Sequence, residues 1–118
     1  MKPVDQTKFL KNGQRGNCLA ACLASIFELD ITLVPALEEL PPRSNWRNSL
    51  KEWALSHKFV MTEVLPSDFN GWHYIAVGLT EKGCRHAVVG HQGAIIHDPH
   101  HFRKGLVEIK SLFIFEPI

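Results

Sequence analysis

A change of hydrophobic period after His57 constrains the fold more than any other feature of this sequence. Before this point, apolar residues recur at steps of three and four, which is typical of amphipathic helices. After it, short apolar runs alternate with turn residues, which is typical of strands. Helices followed by strands predict an α+β domain, in which amino-terminal helices pack on a carboxy-terminal antiparallel sheet.

Two helices are predicted in the first half of the chain. The first runs from about Cys18 to Glu28, and the second occupies the run WRNSLKEWALSH, residues 46–57. Between them, LVPALEEL predicts one further helical turn with Pro35 near its start. Each helix buries one face, and the apolar residues of those faces are Leu19, Cys22, Leu23, Ile26 and Phe27 in the first and Trp46, Leu50, Trp53 and Ala54 in the second.

Five strands are predicted in the second half. Segments that contain Gly, Pro, Asn or Asp separate them and predict turns. No internal repeat and no long linker divides the chain, so we expect residues 1–118 to form a single domain. The predicted strands are FVMTEVL, WHYIAVGL, RHAVVGH, AIIHD and SLFIFEPI.

The charge and the hydropathy pattern narrow the functional classes. Thirteen basic and twelve acidic residues provide no excess of positive charge for nucleic acid or for an acidic membrane surface. The chain has no run of about 18 apolar residues, and the segment MKPVDQTKFLKNGQ has no apolar core of signal-peptide length. We therefore expect a cytoplasmic globular protein that binds neither nucleic acid nor membranes.

The three cysteines are predicted to be reduced thiols, because an odd number without a CxxC pair fits neither a disulfide framework nor a structural zinc site. Cys22 falls on the buried face of the first helix and Cys84 in a turn-like segment, so we interpret Cys22 as packing and Cys84 as incidental. Cys18 follows Asn17 at the start of the helix, where Asn17 can act as the N-cap and the helix dipole favours an anion. Cys18 is therefore a candidate nucleophile, with a small buried core residue as the alternative.

The segment RHAVVGHQGAIIHDP, residues 85–99, predicts a β-hairpin that carries a candidate His–Asp pair. A three-residue loop, 91–93, places His86 directly opposite Asp98. A two-residue loop places the two side chains on opposite faces of the sheet. In the first case the carboxylate can orient the imidazole as in a catalytic triad. The alternatives are an ordinary strand histidine and an ordinary carboxylate at a turn.

Taken together, these motifs resemble the papain-like cysteine peptidases. The shared features are Gly-Asn-Cys at the start of an alanine-rich helix, then His-Ala-Val-Val, then Asp-Pro at the end of the next strand. The sequence is most similar to the small bacterial branch typified by bacteriocin-leader peptidase domains. It also resembles short phage and bacterial proteins that carry Asp-Gln-Thr and His-Asp-Pro. The resemblance spans nearly the whole chain and implies the papain-like cysteine peptidase fold.

The resemblance also implies roles for particular residues. Cys18 is then the nucleophile, His86 the general base and acid, and Asp98 the residue that orients His86. A glutamine, either Gln6 or Gln14, forms the oxyanion hole with the backbone N–H of Cys18. The implied reaction is hydrolysis or transfer at a peptide, isopeptide or amide bond of a peptide or protein substrate, through a Cys18 thioester and without a cofactor. No oligomeric state is implied.

Two further residues are candidates for substrate contact. Trp72 can line the cleft or pack in the core, and His100 lies in a polar loop beside the predicted site. The run HDPHH, with His91 nearby, supports a different hypothesis, a His/Asp metal site, although its spacing matches no strong metal motif. A third hypothesis is a non-catalytic binding or inhibitor module on the same fold, since a fold alone does not determine an activity.

Overall fold

Among the residues that the structure describes, two helices precede five strands, as the sequence predicts. The structure, a computed structural model, describes residues 1–10, 15–41, 44–66 and 73–118. Within these residues no helix is both long and apolar enough to cross a bilayer. The elements are helices α1 (Cys18–Phe27) and α2 (Trp46–Ser56), and strands β1 (Phe59–Val64), β2 (Tyr74–Leu79), β3 (Arg85–His91), β4 (Ala94–His97) and β5 (Glu108–Pro117).

The five strands form one antiparallel sheet with the order β1-β5-β2-β3-β4. The last strand therefore lies inside the sheet, between β1 and β2. It begins at Glu108, three residues before the predicted run, because Glu108 and Ile109 pair with Leu79 and Gly78 after a register shift in β2. Gly78 permits this close pairing, since a Cβ atom there would lie 1.9 Å from the Glu108 carbonyl oxygen.

Both helices pack against the sheet, α1 against β2 and β3 and α2 against β1. The α+β architecture predicted from the hydrophobic period is thus confirmed. Phe27 at the end of α1 meets the rings of Trp53, Phe59 and Phe115 edge-on, at centroid distances of 5.1, 5.0 and 5.3 Å. Such edge-to-face contacts add to the burial of apolar area. The largest fully buried hydrophobic side chains of this core are Leu23, Leu50, Ile75, Val89, Phe113 and Phe115.

The segment between the helices forms two short 3₁₀ turns, Ile31–Leu33 and Leu37–Glu39, rather than the single helical turn predicted around Pro35. Asp30 caps the first turn, and its side chain accepts a hydrogen bond from the Thr32 N–H. A proline has no N–H to donate and restricts the residue before it, so the helical conformation stops at Val34 and resumes after Pro35.

The β3–β4 hairpin differs from the predicted three-residue loop. His91 pairs with Ala94, so the loop has two residues, Gln92 and Gly93. Both have positive φ angles, 51° and 81°, as a type I′ turn requires. The prediction that His86 lies directly opposite Asp98 is therefore wrong.

A β-bulge nevertheless returns Asp98 to the side of the sheet that His86 occupies. Gly90 pairs with Ile95, whereas the preceding Val89 pairs with His97, so Ile96 is an extra residue in β4. One extra residue reverses the alternation of side chains beyond it. Continued past the end of β4, the shifted register brings Asp98 diagonally across from His86.

We expect Gly78→Ala to lower the free energy of unfolding by about 3 kcal/mol or more, because the added methyl group would collide with backbone atoms that cannot rotate away. Urea denaturation followed by circular dichroism measures this loss. Thr62→Ala, at an exposed position of β1, is the control and should cost less than about 1 kcal/mol. Equal losses in the two variants would contradict the close pairing of β2 and β5.

Candidate active site

His86 and Asp98 form a short, sheltered pair. The distance from His86 Nε2 to Asp98 Oδ1 is 2.6 Å, and only 9% and 5% of the two side chains are exposed. Asp98 directly follows β4, and its oxygens also accept hydrogen bonds from the backbone N–H groups of His100 (2.9 Å) and Gly105 (2.7 Å). The carboxylate therefore cannot turn away from His86 without losing two backbone hydrogen bonds.

Cys18 interacts with the same histidine. It is the first residue of α1 and is half-buried. Because α1 packs against β3, Cys18 lies close enough to His86 for its thiol to raise the pKa of the imidazole. The structure thus brings together the three residues, Cys18, His86 and Asp98, that the sequence pattern singled out.

The environment of His86 favours its protonated form. Burial opposes the imidazolium, but hydrogen bonds with Cys18 and Asp98 and the negative charges of both groups outweigh burial and raise the pKa of His86 to about 9. His86 is therefore charged at neutral pH. A histidine in this state can donate a proton to a leaving group and hold a thiolate beside it.

Asp98 is held in its charged form. Burial raises the pKa of its carboxyl group, but hydrogen bonds from His86 and from the N–H groups of His100 and Gly105 outweigh burial and keep the pKa below its usual value of 3.8. A charged carboxylate next to an imidazolium fixes the orientation of the ring and stabilises its charge.

The Asn17 side chain does not cap α1, contrary to the prediction. Its Oδ1 instead accepts hydrogen bonds from the backbone N–H groups of Thr7 and Lys8, both at 2.9 Å, and its Nδ2 donates to Thr7 Oγ1 at 2.8 Å. The Asn17 N–H donates to the Lys8 carbonyl at 3.2 Å. Asn17 is buried, and its hydrogen bonds hold the amino-terminal segment beside the start of α1.

These contacts place Gln6 in the site region. Gln6 is buried, its backbone N–H donates to the carbonyl of Pro99 at 3.0 Å, and its Nε2 donates to the Lys8 carbonyl at 2.9 Å. Gly16 leaves space for the Gln6 amide, since a Cβ atom on Gly16 would lie 3.1 Å from Nε2. Gln6 therefore lies between the residue after Asp98 and the segment before Cys18.

The remaining predicted residues have different outcomes. Gln14 and Trp72 lie outside the described residues. The ring of His100 lies with its centroid 6.3 Å from that of His86. The sequence pattern does not reveal Gly16 and Gly105. Gly16 leaves room for the Gln6 amide and the Gly105 N–H donates to Asp98, and neither contact produces a local sequence pattern.

The residues of HDPHH do not converge on one point. His97 Nε2 is bonded to the Val4 carbonyl at 3.0 Å and lies 3.3 Å from Asp5, whereas Asp98 faces His86. In the part of the chain that the structure describes, no three His, Cys, Asp or Glu side chains are grouped so that they could hold a metal ion. The described residues therefore provide no set of ligands for the hypothetical metal site.

The other two cysteines lie where the sequence places them. Cys22 is fully buried in the core, and burial raises the pKa of its thiol well above the usual value. Cys84 is exposed in the turn between β2 and β3. All three cysteines are free.

Comparison of the chain with protein-family models, with curated proteins and with solved structures found no match in any of the three.

Histidine titration by NMR tests the contact between Cys18 and His86. We expect His86 to titrate with a pKa of about 9, and Cys18→Ala to lower this value because it removes a hydrogen bond and a negative charge. His73 serves as an internal reference, since burial and the neighbouring His91 lower its pKa. An identical His86 titration in both proteins would contradict the contact.

Asp98→Asn is expected to destabilise the protein by about 2 kcal/mol at pH 7, because an amide nitrogen cannot accept a hydrogen bond from Gly105 or His100. The folded-state pKa of Asp98 is below 3.8, so its charge contributes stability above that pH, and this contribution is lost as the pH falls through the folded value. Urea denaturation at several pH values should show the two proteins converging in acid. Glu52→Gln, at an exposed position of α2, should show no such convergence.

Proposed function

We propose that this protein is a papain-like thiol hydrolase or acyltransferase, which attacks a peptide, isopeptide or amide bond through Cys18. The observation that carries the proposal is that Cys18 and Asp98 both interact with His86, with the sulfur at the amino-terminal end of a helix. The α+β order and the placement of Gln6 support a papain-like fold. Three free thiols fit the reducing, cytoplasmic setting that the sequence predicts.

In the proposed mechanism, His86 accepts the thiol proton of Cys18. The Cys18 thiolate attacks the carbonyl carbon of the substrate and forms a tetrahedral intermediate. His86 then donates its proton to the nitrogen of the leaving amine, the carbon–nitrogen bond breaks, and a thioester remains on Cys18. Asp98 holds the imidazole in place through both proton transfers.

Two donors are suited to stabilise the negatively charged oxygen of that intermediate. The first N–H groups of a helix have no partner within the helix, so the backbone N–H of Cys18 can point at the oxygen. The Gln6 amide nitrogen carries two hydrogens, one of which is used on the Lys8 carbonyl, and the second is assigned to the oxygen. This support concerns Gln6 alone, because Gln14 lies outside the described residues.

The second half of the reaction regenerates the enzyme. His86, now neutral, removes a proton from a water molecule or from a second amine, which attacks the thioester carbon. The carbon–sulfur bond breaks and the sulfur leaves as thiolate beside the imidazolium. Water gives hydrolysis and an amine gives transfer, so the same three residues serve both reactions.

The rate of Cys18 alkylation by iodoacetamide, measured against pH with the labelled sites located by mass spectrometry, tests the proposal. We expect Cys18 to react at least about tenfold faster than Cys84 at pH 6 to 7, because a thiolate is the reactive species. His86→Ala should remove this advantage.

His57→Ala, which changes an exposed histidine at the end of α2, is the matched control and should leave the profile unchanged. Cys22 is buried and Cys84 exposed, so both report on the fold within the same sample. A Cys18 profile like that of Cys84, insensitive to His86→Ala, would overturn the enzymatic proposal and favour a non-catalytic binding module.

A further inference from the structure

Four aromatic side chains form a continuous group beside His86. Phe9 meets His100 and His101 edge-on at centroid distances of 5.3 and 5.2 Å, and the two histidine rings stack on each other at 4.6 Å. Phe102 lies 4.9 Å from His100 and 4.2 Å from His101. We call these four residues, Phe9, His100, His101 and Phe102, the aromatic rim.

The rim lies at the surface rather than in the core. Phe102 is 65% exposed, His101 is exposed, and Phe9 and His100 are half-buried. None of the four belongs to either buried hydrophobic cluster of the described residues. An exposed group of this kind, next to a reactive site, is the usual form of a contact surface for a ligand.

The rim is built on backbone that the site itself fixes. Asp98, which orients His86, also accepts hydrogen bonds from the N–H groups of His100 and Gly105 and thereby closes the loop 99–105. Arg103 donates to the Asp98 carbonyl and forms a two-point ion pair with Asp5, at 2.7 and 3.0 Å. The rim is therefore ordered before any ligand binds, which lowers the entropic cost of binding.

Phe9 is fixed from the other direction. It follows Thr7 and Lys8, whose N–H groups are bonded to Asn17 immediately before Cys18. Phe9 is thus positioned by the segment that precedes Cys18, whereas His100 is positioned by Asp98.

The His100 ring contributes an uncharged imidazole to the rim. The Phe102 N–H donates to Nδ1 of His100 at 3.1 Å, and a ring nitrogen that accepts a hydrogen bond carries no proton. Burial, together with the charges of His101 and His86, lowers the pKa of His100. Two phenylalanines and a neutral imidazole suit an aromatic or large apolar group better than a charged one.

The position of the rim indicates which part of a substrate it meets. In the proposed mechanism the acyl group is attached to Cys18, and His86 delivers its proton to the leaving amine. His100 is the rim residue whose ring contacts that of His86, at 6.3 Å. The rim therefore borders the amine side of the bond.

We propose that the aromatic rim binds an aromatic or large apolar side chain on the amine portion of the substrate, so that the enzyme selects amides and amine acceptors with such a group. This inference rests on the proposed function for the chemical step, although binding to the rim does not need Cys18. In transfer to such an amine, the carbon–sulfur bond breaks, a carbon–nitrogen bond forms, and the amine proton passes to His86.

The first experiment measures binding without chemistry. NMR spectra of Cys18→Ala are recorded during titration with phenylalaninamide or with glycinamide. We expect phenylalaninamide to shift the backbone signals of His100, His101 and Phe102, and glycinamide to leave them in place at the same concentration. Phe102→Ala should remove the shifts, whereas Leu55→Ala, which changes an exposed apolar residue on α2, should not. Equal shifts with both amides, or shifts that persist in Phe102→Ala, would overturn the proposal.

The second experiment measures selection during transfer. The wild-type protein is acetylated with 4-nitrophenyl acetate in an equimolar mixture of the two amides, and the acetylated products are quantified by mass spectrometry. We expect acetyl-phenylalaninamide to exceed acetyl-glycinamide by about tenfold, and the ratio to fall close to one in Phe102→Ala.

The two failures are distinguishable. Acetylation of Cys18 without a preference between acceptors would overturn the rim proposal and leave the proposed function standing. Absence of Cys18 acetylation would overturn the proposed function, and the NMR titration would still decide whether the rim binds the aromatic amide.

Discussion

The rest of the site depends on the hydrogen bonds that the Asp98 carboxylate accepts. This carboxylate holds His86 at 2.6 Å and closes the loop 99–105 through two backbone N–H groups. Because these hydrogen bonds outweigh the burial of the carboxyl group, Asp98 stays charged and keeps the neighbouring imidazole charged as well. This buried negative charge therefore acts together with Cys18 to favour the charged form of His86, and it fixes the loop beside the histidine.

A second constraint is the way in which the amino-terminal segment returns to α1. The Asn17 side chain accepts hydrogen bonds from the backbone N–H groups of Thr7 and Lys8 instead of capping the helix. The helix gives up the stability of a side-chain cap, which is about 1 kcal/mol in typical proteins. The returning segment places Gln6 between Pro99 and Gly16. The Asn17 side chain also accepts no hydrogen bond from the first N–H groups of α1. In the proposed function, these donors and Gln6 meet the oxyanion.

The helices and strands could be predicted from the sequence because their hydrophobic periods are local properties. The same holds for Cys18 at the start of α1, since the Gly-Asn-Cys motif and the apolar face behind it are contiguous. The hairpin could not be predicted in detail. Gln92 adopts a left-handed conformation that favours glycine or asparagine, and the extra residue Ile96 resembles any other strand residue. The choice of Gln6 and the contacts of Asn17 depend on segments that meet only after folding.

The proposed function requires that Cys18 and His86 form a thiolate–imidazolium pair at neutral pH. The most direct measurement is the ultraviolet absorbance of thiolate as a function of pH, in the wild-type protein and in Cys18→Ala and His86→Ala. We expect the wild-type protein at about pH 7 to contain one thiolate more than either variant. A Cys18 thiolate that formed only in the alkaline range, and formed there equally in His86→Ala, would contradict this pair.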